Sequence, residues 1–470
     1  MKFTKFGKAL LMGALSAGLI FGVTSCVESY TVGYLYVTGT VTAQSGNNGI
    51  ITGFKIDHNT GKLSPINGLP VSSGGSNPVR AVLLTGSRFL YVLNRGVNTE
   101  GNADCTPTDP CGSSNITQFA VGGNGVLTPQ ETFFTQGVNP FRLIADTTGS
   151  YLLALDHDSS YNGEPSSATN PNPNCARALA NAATTCGDVT VFQINQTTGR
   201  LSLVLNAQVT AASGSQLTYF PVPANPVDFV MATGFVLTLS GNTPQTSYPY
   251  TGGGAVWPYA YSSSTGQLTV SSNSSQPLTD PYNVDGLVGN GTAIVSASSV
   301  IYVLDNESFT LPSGGTFPGG TYPSQVLPYT VGSGGALQSQ TGGIIPDDPT
   351  LGNPIQLLVE SKGKYVYVAN QGNNVTGNNP QSGIAAYFIT TAPAYQLSFV
   401  PLEPFGSGSG PQCIVEDPSD QFIYEANEYD STVTGRSLDP NSGALNLLRV
   451  TSSYPLQGPA TWCLINGRTG

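Results

Sequence analysis

The chain has 470 residues, a formal net charge of −11 and only 9% charged residues, with 57 Gly and 34 Pro. So few charges beside so many turn formers exclude a fold of long helices, and 16 Lys and Arg spread along the chain exclude the basic face that a phosphate backbone requires. With 39% hydrophobic residues, and with 22 Tyr and 19 Phe, there is material for a core, so an all-β fold is expected and disorder is not.

The first eight residues, MKFTKFGK, carry three lysines and precede the apolar stretch ALLMGALSAGLIFG. These are the elements of an export signal over 1–25, and the stretch falls short of the roughly 20 apolar residues that a membrane span requires. Val23, Thr24 and Ser25 lead into Cys26, a junction that resembles the bacterial lipobox. The expectation is acylation at Cys26, a short tether over 26–32, and a place in the bacterial cell envelope, in the periplasm or on the outer membrane. The lipid anchor would then be the chain's only hold on a membrane.

From residue 33 onward three elements recur. An apolar run ends in a small polar turn at GYLYVTGTV (33–41), RFLYVLNRG (88–96), SYLLALDHD (150–158), GFVLTLSGN (234–242), SVIYVLDNE (299–307), KYVYVANQG (364–372) and QFIYEANEY (421–429). Near-continuous apolar runs rich in β-branched and aromatic residues predict strands buried on both faces. After each comes a hairpin of the type ITGFKIDHNTGKL (51–63) or VTVFQINQTTGRL (189–201), closing at Leu63, Leu127, Leu201, Leu268, Leu337, Leu397 and Leu445. Before most runs a proline opens a further strand: NPVR at 77, NPFR at 139, NPVD at 225, DPYN at 280, NPIQ at 353 and GPQC at 410.

Four strands written seven times predict a seven-bladed β-propeller over 33–470. The first unit lacks its proline strand, and an orphan one, GPATWCLING (458–467), ends the chain. The closing blade is therefore expected to join 458–470 to 33–66, which leaves no open sheet edge. Two long polar insertions, 96–114 and 159–188, lengthen the same connection in neighbouring blades and belong on one rim. Each holds a cysteine pair, Cys105 with Cys111 and Cys175 with Cys186, and local disulfides are expected in an oxidising compartment. Cys413 and Cys463 fall on neighbouring inner strands, and the sequence leaves open whether they form a third bridge.

Two residues after each opening proline stand Arg80, Arg142, Asp228, Asn283, Gln356, Cys413 and Thr461. Strand alternation sets them on one side of the inner strands, facing a central channel. Arg80 and Arg142, on adjacent blades, suit a carboxylate or phosphate, with Asp228, Asn283 and Gln356 as hydrogen-bonding neighbours. The chain has two histidines. His58 sits at a hairpin tip, whereas His157 ends a buried strand between Asp156 and Asp158 beside an insertion. A calcium loop at DHDSSYNGE fails at Tyr161, where glycine is required, and the cysteines lack metal-site spacing, so neither a metal nor a cofactor is expected.

The F-x-I-x-x-x-T-G-x-L hairpins and the proline-to-LYV-x-N rhythm resemble the seven-bladed lactonase family, which includes propeller-type 6-phosphogluconolactonases and carboxymuconate-cyclising enzymes. The likeness runs over essentially all of 33–470. The stretch GPQCIVEDPSDQFIYEANE (410–428) is similar to a family segment with Gly-Pro-Arg-His and a terminal Asn-Glu. Gly410, Pro411, Asn427 and Glu428 agree, but Gln412 and Cys413 replace the Arg-His pair, and the family's His-x-His element is missing. The expectation is a monomeric binding protein for a small anionic or polar molecule or an envelope partner. The alternative is a lactonase or cyclase whose rearranged site draws on Glu428 and His157.

Overall fold

The seven leucines each open the last strand of a sheet: Leu63–Pro65, Leu127–Phe133, Leu201–Leu203, Leu268–Val270, Leu337–Ser339, Leu397–Phe399 and Leu445–Leu447. The structure is a computed structural model that describes residues 30–44, 47–84, 88–101, 105, 109–159, 186–206, 209, 215–241, 255–271, 290–297, 299–314, 317–339, 345–373, 381–390 and 396–467. The signal segment, Cys26, Cys175 and Asn283 lie outside the described residues.

Seven antiparallel blades surround an axis. Inner strands are Pro78–Leu83 (blade 2), Val138–Ala145 (3), Pro226–Ala232 (4), Gly291–Ala297 (5), Pro354–Val359 (6) and Pro411–Glu416 (7), each followed by its buried strand, a third strand and the leucine strand. Blade 1 takes its inner strand from the other end of the chain. Ala460–Gly467 pairs antiparallel with Thr31–Gln44, from Gly33 opposite Gly467 to Gly39 opposite Ala460. It lies between the inner strands of blades 7 and 2, so the ring is closed. Cys413 and Cys463 are bridged across that closure, with Cα atoms 5.8 Å apart. Cys105 is bridged to Cys111, and Cys186 is disulfide-bonded to a partner outside the described residues.

The Gly-x-Leu signature has a physical cause that reaches into the neighbouring blade. The hairpin glycines Gly61, Gly125, Gly199, Gly266 and Gly443 adopt left-handed φ of 67° to 83°. A Cβ on any of them would strike an aromatic ring of the preceding blade, Phe422, Tyr34, Phe89, Tyr151 and Tyr365 respectively. Buried tyrosines one turn of the pleat away donate to the same tips: Tyr36 to Gly125 O at 2.8 Å, Tyr91 to Gly199 O at 2.6 Å, Tyr367 to Gly443 O at 2.8 Å and Tyr424 to Gly61 O at 2.7 Å. The last of these ties blade 7 to blade 1. The tyrosines therefore combine large apolar burial with a satisfied hydroxyl.

The opening of each inner strand is equally regular. Asn77, Asn139, Asn225, Asn353 and Gly410 precede the prolines at φ of 53° to 71°, a region that asparagine and glycine tolerate better than other residues. Two expectations need correction here. Blade 5 opens with Asn290-Gly291 and not with the proline of DPYN, so Ala293 takes the channel position assigned to Asn283. In blade 1 it is Ala460, not Pro459, that pairs as the opening residue, which moves the equivalent position from Thr461 to Trp462. Among the described residues no helix is long and apolar enough to cross a membrane, which says nothing of membrane β-barrels.

Candidate functional site

Strand openings and the ends of the buried strands meet at one end of the axis, called the mouth. A β-bulge follows the opening Pro or Gly of the inner strand in blades 2 to 7, and the residue after it, Val79, Phe141, Val227, Thr292, Ile355 or Gln412, enters the wall of the mouth. The mouth cavity, about 470 Å³, is lined by Arg80, Arg95, Arg142, His157, Gln412 and Trp462 among others. Both insertions leave from this rim, after Asn94 and Asp158, as their shared connection predicted.

Arg80, Arg142 and Asp228 come together. Arg80 Nη2 and Arg142 Nε donate to the same oxygen, Asp228 Oδ1, at 3.3 and 3.1 Å. The second oxygen of Asp228 accepts the Ile294 N–H at 3.1 Å. Gln356 does likewise further round the ring, its Oε1 accepting Ile414 N–H at 2.8 Å. Inner strands have no neighbour on the axis side, and these acceptors supply what their free N–H groups lack. Asp228 and Gln356 are thus turned to the backbone, not held open for a ligand.

One carboxylate for two guanidiniums leaves a positive surplus. Burial lowers the Arg80 pKa to about 9, the Arg142 charge adds to that, and Asp228 partly opposes it. Its guanidinium also stacks 3.6 Å from the Trp462 ring centroid. Arg142 additionally donates to Phe141 O at 3.1 Å. Cys413 is fully buried in its disulfide and does not face the channel.

His157 bridges Asp158 Oδ2 through Nδ1 and Asn225 Oδ1 through Nε2, both at 3.1 Å. Burial and the charge of Arg95 work against its protonation, but the Asp158 hydrogen bond and charge outweigh them, so its pKa is raised from 6.5. The Asp158 oxygen is also held by Asn139 Nδ2 at 2.6 Å. Glu428 stands across the mouth, where Gln371 Nε2 donates to its Oε2 at 2.7 Å and Gln412 Nε2 donates to the same oxygen. Gln412 thus holds the carboxylate from the position of the family's arginine. His58 is remote from all of these, at its hairpin tip and stacked on Tyr30 at 4.4 Å between centroids.

Sequence reasoning does not single out Arg95 and Gln371. The signal is present all the same: they occupy the same place as His157 and Glu428, directly after the Asn or Asp that pairs with the opening proline of the inner strand. Among the described residues no group of three or more His, Cys, Asp or Glu is placed to hold a metal ion.

Behind His157 lies a carboxyl pair, Asp156 and Asp188, both fully buried. Burial raises Asp156 to about 7, although Thr135, Asp188, Gly137 and Thr190 donate to it, and burial with the Asp156 charge raises Asp188 well above the usual range. Folded pKa values above unfolded ones mean that the folded state holds more protons between about pH 4 and 7. This contribution is complete at acid pH and is lost as pH rises through the folded values. Glu403, raised to about 8 by burial, acts in the same sense. Melting temperature is therefore expected to fall from pH 5 to pH 8, and Asp188→Asn to flatten that slope. An unchanged slope in the variant would assign the effect elsewhere.

A sheet ring of seven such blades with a decorated mouth defines a propeller of the lactonase kind, and the model of the family "Lactonase, 7-bladed beta-propeller" matches residues 47–162 and 325–462. The chain belongs to that family. Its fold is similar to a protein from Bacteroides uniformis assigned provisionally as a 6-phosphogluconolactonase, with a TM-score of 0.59 at 13% identity, over 93% of this chain and 100% of that one. It is also similar to a periplasmic gluconolactonase from Pseudomonas aeruginosa, with a TM-score of 0.58 at 16% identity, over 92% and 99% of the two chains. A protein from Lactobacillus plantarum gives 0.54 at 13% identity, over 93% and 99%. No curated protein matches the chain.

Proposed function

We propose that the mouth binds a small organic anion of the sugar-acid kind and holds it without turning it over. The observation that carries this reading is the grouping of Arg80, Arg95, Arg142 and His157 around one cavity in a chain of net charge −11. The nearest acid groups are already committed, Asp228 to two arginines and a backbone N–H, and Asp158 to His157 and Asn139. With both ring nitrogens held by Asp158 and Asn225 and its basicity raised, His157 serves the mouth by its charge and is a poor base for activating water. Disulfides support an extracytoplasmic setting, and lipid attachment through Cys26 belongs to the same proposal.

Calorimetry of the mature chain with gluconate tests the reading. Arg142→Ala is expected to weaken binding about 10- to 100-fold, as for the loss of a charged hydrogen bond. Affinity should rise as pH falls through the His157 titration, because the protonated ring adds a positive charge to the mouth. Binding that ignores Arg142→Ala would remove the site.

A second reading, lactone opening with Glu428 as base, is favoured by one observation: two amides fix that carboxylate at the rim of the same mouth. The names of the similar structures point the same way. Turnover of glucono-δ-lactone that disappears in Glu428→Gln would replace the binding reading with this one.

A further inference from the structure

Below the arginines the channel changes character. Four residues into each inner strand, counted from its opening residue, stand Val82, Ile144, Val230, Val295, Leu358, Val415 and Leu464. All seven blades contribute an aliphatic side chain at this level. Each is half-buried, and all seven line one cavity of about 820 Å³ that opens at the end opposite the mouth. Strand alternation explains the placement: the residues between are buried inside the blade interfaces, while these sit at the axial edge of the same clusters, packed against them on one side and open to the shaft on the other. Arg80, Ile355 and Trp462 line this shaft and the mouth alike, so they form the partition between the two.

We propose that the shaft binds a carboxylate carried on a bulky alicyclic hydrocarbon body, with the carboxylate at Arg80 in the partition and the hydrocarbon below it. The proposal shares the arginine pair with the reading above and adds the aliphatic shaft. Charge complementarity sets the head: Arg80 in the partition and Arg142 on its mouth side share a single carboxylate, Asp228, which itself lines the shaft. Dimensions set the body. From the arginine level to the lower rim is three residues, about 10 Å at the rise of a strand. A cavity of 820 Å³ over that length has a mean cross-section of about 80 Å². A single polymethylene chain would leave water against most of the wall, whereas a fused-ring body would displace it. The lower rim offers Glu416, whose carboxyl is raised to about 7 by burial, so it does not favour a second anionic group there.

The probes are acetate, cyclohexanecarboxylate, adamantane-1-carboxylate and octanoate, titrated calorimetrically into the mature chain beside gluconate. Each 55 Å² or so of hydrocarbon buried corresponds to about a tenfold gain in affinity, so affinity is expected to climb in the order of the first three. Octanoate should bind more weakly than adamantane-1-carboxylate. Val295→Thr and Val415→Thr, which keep volume and add a hydroxyl, should each weaken adamantane-1-carboxylate about threefold or more and leave gluconate unchanged. Leu358→Gln should do so more strongly, and if it fails to fold the threonine variants carry the test. Affinity indifferent to hydrocarbon size, octanoate binding as tightly as the cage, or a gain that survives both threonine variants overturns the proposal. So does adamantane-1-carboxylate binding unchanged by Arg80→Ala, which would leave the shaft without an anion anchor. Failure of gluconate alone, with the hydrocarbon series intact, overturns the sugar-acid reading and supports this one.

Discussion

Deleting residues 456–470 is expected to abolish cooperative unfolding. Strand Ala460–Gly467 is the inner strand of blade 1 and borders the inner strands of blades 7 and 2. Its loss leaves the edge of Thr31–Gln44 unpaired inside the ring, removes Trp462 from Arg80, and frees Cys413 from its bridge. Blades 1, 2 and 7 would then expose interior faces together, which no local adjustment can cover. A calorimetric scan and near-ultraviolet circular dichroism should show no sharp transition. Replacing Cys413 and Cys463 by alanine separates the staple from the strand. The bridge spans 50 residues, and closing a loop of that length is worth about 4 kcal/mol in the chain-entropy model. That variant should melt earlier but still cooperatively. A truncated chain with the wild-type profile would show that the ring is held by other means.

The second large effect is expected from Asp228→Ala. It leaves two guanidiniums facing each other, only 13% and 24% exposed, and an Ile294 N–H without its acceptor. Breaking a buried pair by removing one partner costs about 3–5 kcal/mol. Asp228→Asn keeps an acceptor for Ile294 while removing the charge, so it should be less stable than wild type and more stable than the alanine variant. It should also bind gluconate more tightly, since the internal anion that competes for both arginines has gone. A variant that is destabilised yet no tighter would mean that the ligand does not meet these arginines. Melting curves and calorimetry on one preparation read both quantities.

Much of this architecture is legible in the sequence because its signals are local and repeated. The leucine after each hairpin tip marks a strand start in every blade, and the orphan GPATWCLING points to the closure by its mere lack of a partner. Blade 5 departs from the expected pattern because a proline is a favoured opener and not a required one: Gly291, after a turn residue, opens that strand as well. The offset at the closure has a similar origin, since Pro459 stands one residue before the position that pairs. The site is legible in its residues and not in their use. Spacing brings Arg80, Arg142 and Asp228 to one level, but whether charges on one ring face the channel or each other depends on side-chain directions across blades. Asp228 and Gln356 have the chemistry of ligand contacts, yet the axis-facing N–H groups of the next strand have first claim on them. The aliphatic level is within reach of strand alternation, but it emerges only when the strand openings are registered correctly in blades 5 and 1.

The register at the closure also gives the molecule a direction. Gly33 stands opposite Gly467, and neighbouring Ile465 lines the wide cavity, so the chain enters and leaves the ring beside the shaft's open end. Tyr30, the first described residue, therefore stands at the pole opposite the arginines. The two poles thus differ in chemistry as well as in position: the one beside Tyr30 is lined with hydrocarbon, and the cationic one faces away from it.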